Sequence, residues 1–157
     1  MRHRRTYLAR RTGAAVLLVL TAALLCCSKA DPNKTVIVFS YDEGGEIKEK
    51  IIDDLIAEFE KLNPDLRVRK HPLPGVTDME RAFYLSSFAA QSTFVDVFES
   101  DVIWTSEFAA GGFLLPLDEY VTEEMRKQWI APAIAEATYA GELYAVPYYM
   151  TYAALFY

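Results

Sequence analysis

Residues 35–41, TVIVFSY, form a run of β-branched and aromatic side chains with almost no polar interruption. Such a run is typical of a strand that is buried on both faces of a largely parallel sheet. Apolar side chains with helical spacing follow over residues 46–62 and stop at an Asn-Pro pair. A strand pattern at 66–71, a helix pattern at 77–91 and a short apolar run at 94–98 come next. This order predicts an α/β fold with parallel strands and right-handed crossovers.

Details of these elements can be predicted from individual side chains. Pro72 and Pro74-Gly75 are expected to end the second strand, and Thr77 with Glu80 fits a capping box for the second helix. A hairpin is expected between residues 138 and 147, with its turn at 140–142. The apolar side chains expected to line one face of the first helix are Ile47, Ile51, Leu55, Phe59 and Leu62, flanked by Ile52 and Ile56.

The first 27 residues have the features of an export signal. Five arginines within the first eleven positions precede an apolar run at 14–25 and the cysteines Cys26 and Cys27. This pattern predicts a secretory signal, and the run is shorter than the roughly 20 apolar residues of a membrane span; an uncleaved signal anchor is the alternative. The sequence LLCC at 24–27 resembles the lipobox of bacterial lipoproteins, which implies a signal peptide over 1–26, a lipidated Cys27 and a polar tether over 27–34.

Charge and cysteine content restrict the possible functions. Removal of residues 1–26 takes five arginines with it and changes the formal net charge from -6 to -11. Such an acidic chain is a poor binder of phosphates, so we expect no nucleic acid as a partner. Both cysteines precede the globular part, which therefore forms no internal disulfide and binds no metal through thiolates. We expect no cofactor and no metal.

Four segments resemble the extracellular solute-binding proteins of sugar-import ABC transporters, the group that includes maltose- and trehalose-binding proteins. The first is EFEKLNPDLRV at 58–68, and the second is VDVFESD at 95–101. The third combines Trp104 with EFAAGGFLLPL at 107–117, and the fourth is GELYAVP at 141–147, which leads to LFY at 155–157. Their order and spacing extend over nearly all of residues 35–157.

The resemblance implies a periplasmic-binding-protein-like fold of type II, in which two α/β lobes hold a sugar between them and present it to a permease. Residues 35–144 would be a partial first lobe, residues 145–157 the hinge crossover and the start of a second lobe, and the rest of that lobe would be missing. We therefore expect an amino-terminal fragment of an exported, lipid-anchored monomer that is not an enzyme. Its expected partners are a sugar, the permease subunits of an importer and the membrane.

Two acidic turns are candidates for the sugar site, because ligands of open parallel sheets lie beyond the carboxyl ends of the strands. Asp42 and Glu43 follow the first strand, and the turn at 99–101, which contains Asp101 and is followed by Trp104, follows the third. A carboxylate can accept two sugar hydroxyls, and an aromatic ring can stack on a sugar face. The alternatives are a solvated turn for the first pair, a helix cap for Asp101 and a core position for Trp104.

Tyr149 and Tyr152 lie where the resemblance places the hinge and cleft, so both are further candidates for sugar contact. The competing interpretation is a secreted glycosidase that uses a carboxylate pair such as Glu99 and Asp101. A third possibility is a lipoprotein domain that serves only to dock other proteins. The sequence contains no Ser-His-Asp set, phosphate loop or metal-ligand spacing that would favour another enzyme class.

Overall fold

Three parallel strands form the main sheet of the computed structural model, which describes residues 34–150 and 155. The sheet has the order β2-β1-β3, with β1 at Thr35–Asp42, β2 at Leu66–Leu73 and β3 at Val97–Phe98. Two helices, α1 (Gly45–Leu62) and α2 (Thr77–Ala89), connect the strands. The predicted α/β class with parallel pairing is confirmed. The expected signal peptide, Cys27 and Tyr152 lie outside the described residues.

The remaining elements are short. They are α3 at Val102–Ala110, α4 at Glu123–Arg126, α5 at Ala131–Glu136 and the antiparallel strands β4 at Thr138–Tyr139 and β5 at Glu142–Leu143. The hairpin was expected, and its turn residues Ala140 and Gly141 have φ angles of 51° and 93°. Positive φ at both central positions is the conformation of a type I′ turn, one of the two turns favoured in two-residue hairpins. Within residues 34–150 and 155, no helix has the length and hydropathy of a membrane span.

The expected apolar face of α1 is not the face that the helix buries. Ile52 is 3% exposed and Ile56 is partly buried, whereas Ile47 and Leu62 are 80% and 71% exposed. Helical spacing identifies a broad apolar arc but not the part of it that meets the sheet. The prediction of a buried line through Ile47 and Leu62 was therefore wrong, and the flanking positions make the contact.

Two expected chain boundaries also differ. β2 continues through Pro72 to Leu73, with Pro72 in register with Tyr41. This is possible because β2 is an edge strand, where a missing N–H need not interrupt the ladder. The capping box is absent as well: α2 starts after Val76, whose carbonyl accepts from the backbone N–H of Glu80 at 3.0 Å, and no side chain caps the helix.

Side-chain bonds fix α1 against the sheet and so position its first turn. Glu49 Oε2 accepts hydrogen bonds from the Tyr41 hydroxyl and from Lys70 Nζ, each at 2.9 Å. Both bonds lower the pKa of Glu49, and the bond from Lys70 has the larger effect. The carboxylate therefore ties the helix to β1 and β2 together, immediately beside Lys48.

A hydrophobic cluster of mostly aromatic side chains packs where β2, α2 and α3 meet. Its buried members are Leu73, Tyr84, Trp104 and Phe108, from β2, α2 and α3. The Tyr84 hydroxyl donates to Ser40 Oγ at 3.0 Å, so this buried polar group has a partner on β1. Burial raises the pKa of Tyr84 to about 12. Tyr84 therefore remains neutral and links α2 to the central strand.

Candidate functional site

The carboxyl ends of β1 and β3 lie side by side and bring two carboxylates together. Ser40 is in register with Phe98, and the backbone N–H of Glu99 donates to the Ser40 carbonyl at 2.8 Å. Asp42 and Glu99 therefore leave adjacent strands at the same edge of the sheet. Lys48, in the first turns of α1, makes ion pairs with both side chains, and its Nζ lies 2.8 Å from Glu99 Oε2. We call this edge, with Asp42, Lys48 and Glu99, the acidic edge.

The ion pair between Lys48 and Glu99 is largely shielded from solvent. Their side chains are 18% and 14% exposed, whereas the Asp42 side chain is 37% exposed. The other oxygen of Glu99, Oε1, is buried and makes no hydrogen bond of ordinary geometry within the residues that the structure describes, although the Tyr149 hydroxyl also interacts with this carboxylate. A buried carboxylate oxygen normally has a partner, and one without a partner requires an explanation.

Asp101 caps helix α3, as one interpretation of the sequence predicted. Its Oδ1 accepts from the backbone N–H of Ile103 at 3.2 Å, and its backbone is extended, as expected for an N-cap. The cap requires only one carboxylate oxygen. Contact between the sugar and Asp101 therefore remains a prediction that is compatible with the cap.

Tyr149 lies near the same carboxylates. Partial burial raises the pKa of its hydroxyl most, and the charges of Glu99 and Asp101 and a hydrogen bond to Glu99 raise it further. The Tyr148 ring lies 5.3 Å from the Tyr149 ring, centroid to centroid, in an edge-to-face arrangement. The two residues are 54% and 63% exposed, so they present aromatic surface to solvent beside the acidic edge.

Two predicted residues are placed elsewhere. Trp104 is 2% exposed and packs 6.0 Å from Phe108 and 6.2 Å from Tyr84, measured between ring centroids. The ring therefore serves as a core anchor and offers no open face for sugar stacking. Glu43 is exposed and lines a shallow groove beside α1, together with Glu46 and Glu49. That groove contains none of the acidic-edge residues.

The sequence interpretation missed Lys48 as a site residue. It included Glu99 in the acidic turn after the third strand and in the alternative catalytic pair, but it did not single Glu99 out as a sugar contact. Helical spacing puts Lys48 on the polar face of α1, where a charged side chain is expected with or without a partner. Its position six residues after Asp42, across a Gly-Gly turn, was a weak signal that the helix begins close to the strand end. In the part of the chain that the structure describes, no three His, Cys, Asp or Glu side chains form a metal-binding group.

Comparison with known proteins gives consistent matches. A family model described as bacterial extracellular solute-binding protein matches residues 43–157. A maltotriose-binding protein of Pyrococcus abyssi is 27% identical over 108 residues, which are 69% of this chain and 23% of that protein.

Solved structures agree with these matches. The maltose-bound MalE3 of T. maritima is 25% identical, with a TM-score of 0.63 over 69% of this chain and 27% of that one. The sugar-binding protein MalE of Xanthomonas citri is 27% identical, with a TM-score of 0.61 over 72% of this chain and 28% of that one. The chain thus spans about a quarter of the length of these proteins.

Proposed function

This chain belongs to the bacterial extracellular solute-binding proteins, and from that premise we propose that the full-length protein binds a sugar for import by an ABC transporter. The expected fold class is confirmed: the chain forms part of a type II periplasmic-binding-protein-like fold. Because it spans about a quarter of its relatives, sugar binding is assigned to the full-length protein.

The observation that carries the proposal is the group of polar and aromatic side chains at the carboxyl edge of the sheet. Carboxylates of Asp42, Glu99 and Asp101 leave neighbouring chain segments there, with Tyr149 beside them. Sugars offer hydroxyl donors to carboxylates and C–H faces to aromatic rings. The similar proteins include a maltotriose-binding protein and a maltose-bound MalE3, so we propose a disaccharide or short oligosaccharide as the ligand.

The route and location of the protein follow from the same premise. Export is implied by the family, and the LLCC sequence supports lipid attachment at Cys27. The protein would then remain on the outer side of a membrane as a monomer. Closure of its two lobes around the sugar would create the surface that the permease subunits recognise. Residues 35–144 would supply part of the first lobe, and residues 145–157 the crossover.

Glycoside hydrolysis is not favoured. The comparisons give binding proteins, and each member of the proposed catalytic pair already uses one carboxylate oxygen within the protein. Glu99 pairs with Lys48, and Asp101 caps α3. A glycosidase instead needs one carboxylic acid that can donate its proton to the leaving group.

Calorimetric titration of the full-length protein with maltose and maltotriose tests the proposal. We expect saturable binding of at least one of these sugars with no release of glucose during prolonged incubation. Titration of residues 27–157 alone should give much weaker binding, because closure requires contacts from both lobes. Equal affinity of the two proteins would contradict the two-lobe account, and glucose release would instead support the glycosidase.

A further inference from the structure

The length of β1 separates the end of the expected tether from the acidic edge. The strand begins at Thr35, directly after residues 27–34, and it ends at Asp42 in the acidic edge. It has 8 residues, and a parallel strand rises about 3.3 Å per residue, so its two ends lie about 23 Å apart. Because β2 and β3 run parallel to β1, the amino ends of all three strands lie on the side where the tether joins.

Helix α1 returns from the acidic edge to the side of the tether. Leu66 is in register with Thr35, whose N–H donates to the Asp65 carbonyl at 3.0 Å. Leu62, at the end of α1, therefore lies on the side of the tether, whereas Ile47, in the first turn, lies on the side of the acidic edge. Both residues are strongly exposed, and the helix rises about 22 Å between them.

The tether is short compared with the length of the strand. Whatever path it takes, a chain of that length spans at most about 28 Å from Cys27 to Thr35, and a flexible chain of that length has an r.m.s. extension of about 16 Å. A sugar that enters a channel in the membrane leaves from the binding cleft, so the acidic edge must turn towards the permease. That orientation places Thr35 at least about 23 Å from the docking surface.

We propose that the tether over residues 27–34 is almost fully extended when the loaded protein meets the permease, so that its length restricts delivery of the sugar but not its capture. This inference rests on the proposed function, in which Cys27 carries the lipid and the sugar binds at the acidic edge. A linker that cannot span two sites gives almost no effective concentration at the second site. The remainder of the full-length protein does not shorten the span, because the length of β1 is unchanged.

Uptake of labelled maltose and maltotriose by cells that contain the full-length protein and its own importer tests the inference. Deletion of residues 29–32 leaves Ser28 beside Cys27 and reduces the reach of the tether to about 14 Å. We expect uptake to fall to the level of cells without the protein, while calorimetry on the extracted variant gives the wild-type dissociation constant. Replacement of residues 29–32 by Gly-Ser-Gly-Ser is the matched control: it keeps the length and should support wild-type uptake. Lipid labelling verifies that both variants are processed.

Energy transfer to an acceptor dye in the membrane measures the orientation directly. The donor is attached to Leu62→Cys or to Ile47→Cys in the anchored full-length protein, in vesicles without the importer. We expect more efficient transfer from position 62, because the tether keeps the amino end of the sheet near the membrane. Equal transfer from the two positions would overturn the inference.

The outcomes separate the inference from the function on which it rests. Wild-type uptake by the deletion variant would overturn the inference and leave the proposed function intact. Loss of uptake in both the deletion variant and the Gly-Ser replacement would show that the composition of the tether matters rather than its length, and would also contradict the inference. A folded wild-type protein that binds neither sugar, or that carries no lipid at Cys27, would overturn the proposed function and the inference with it.

Discussion

Asp101 allows a helix cap and a ligand contact to be measured separately on one side chain. Its Oδ1 accepts from the Ile103 N–H at 3.2 Å, and an N-cap of this kind stabilises a protein by about 1 kcal/mol. Asn caps as well as Asp does, so Asp101→Asn should hardly change the melting temperature. Asp101→Ala removes the cap and should lower the melting temperature by a few degrees.

Sugar affinity responds differently if Asp101 also contacts the ligand. A charged hydrogen bond contributes about 1.5 to 3 kcal/mol, so Asp101→Ala should weaken binding by about tenfold to a hundredfold in the full-length protein. Asp101→Asn retains a neutral hydrogen bond and should weaken it by about five- to tenfold. Isothermal calorimetry and thermal melting on the same preparations give both quantities.

A second N-cap supplies the control. Thr122 caps α4 with a hydroxyl that accepts from the Met125 N–H at 3.2 Å, the same distance as in the Asp101 cap. Thr122→Ala should therefore lower the stability without changing sugar affinity. The reasoning is refuted if Asp101→Asn binds sugar as tightly as the wild type, because Asp101 would then act only as a cap.

Three further predictions concern the anchor, the core and acid stability. Cys27→Ser should abolish lipid labelling and release unprocessed or soluble protein; continued labelling of Cys27→Ser, with loss of the label in Cys26→Ser, would identify the other cysteine as the anchor. Phe108→Ala should lower the free energy of unfolding by about 3 to 5 kcal/mol in denaturant titrations, because Phe108 is fully buried; a loss below about 1 kcal/mol would contradict its place in the core. The Asp118 carboxylate accepts a hydrogen bond from the Leu143 N–H, and this bond lowers the pKa of Asp118 from 3.8. The stability that Asp118 contributes is therefore present above pH 3.8, and it is lost as the pH falls through the lower pKa of the folded state. Melting curves below pH 3.8 should therefore show a smaller acid-induced loss for Asp118→Asn than for the wild type, and equal losses would refute the assignment.

The sequence was sufficient for the order of the elements and for the family. The Asn-Pro stop after α1 is a local signal that depends on backbone preferences, and the β-branched run at β1 has the composition that suits a buried, pleated surface. Gly141 in the hairpin turn is similar, because a glycine adopts its φ of 93° without steric cost. These features could be predicted without knowledge of any contact between distant residues.

The acidic edge could not be predicted in the same way. The contact between Lys48 and Glu99 joins residues 51 positions apart, and it depends on the register of β1 with β3 and on the rotation of α1 about its axis. That rotation buries Ile52 and leaves Ile47 exposed, a choice that helical periodicity alone does not determine. Trp104 shows the same limit: an aromatic side chain after a strand suits both the core and a cleft, and only the packing of α2 against α3 distinguishes them.

The course of β2 through Pro72 makes the two edges of the sheet chemically unequal. Pro72 offers no N–H to a further strand, and the exposed Arg67 and Arg69 place charges along the same border; both features discourage edge-to-edge pairing. β3, at the opposite border, carries the exposed Val97 and no proline. We therefore expect a longer polypeptide to add its next strands beside β3, while β2 remains an edge strand. The acidic edge, at the carboxyl ends of β1 and β3, would then have strands on both sides of it.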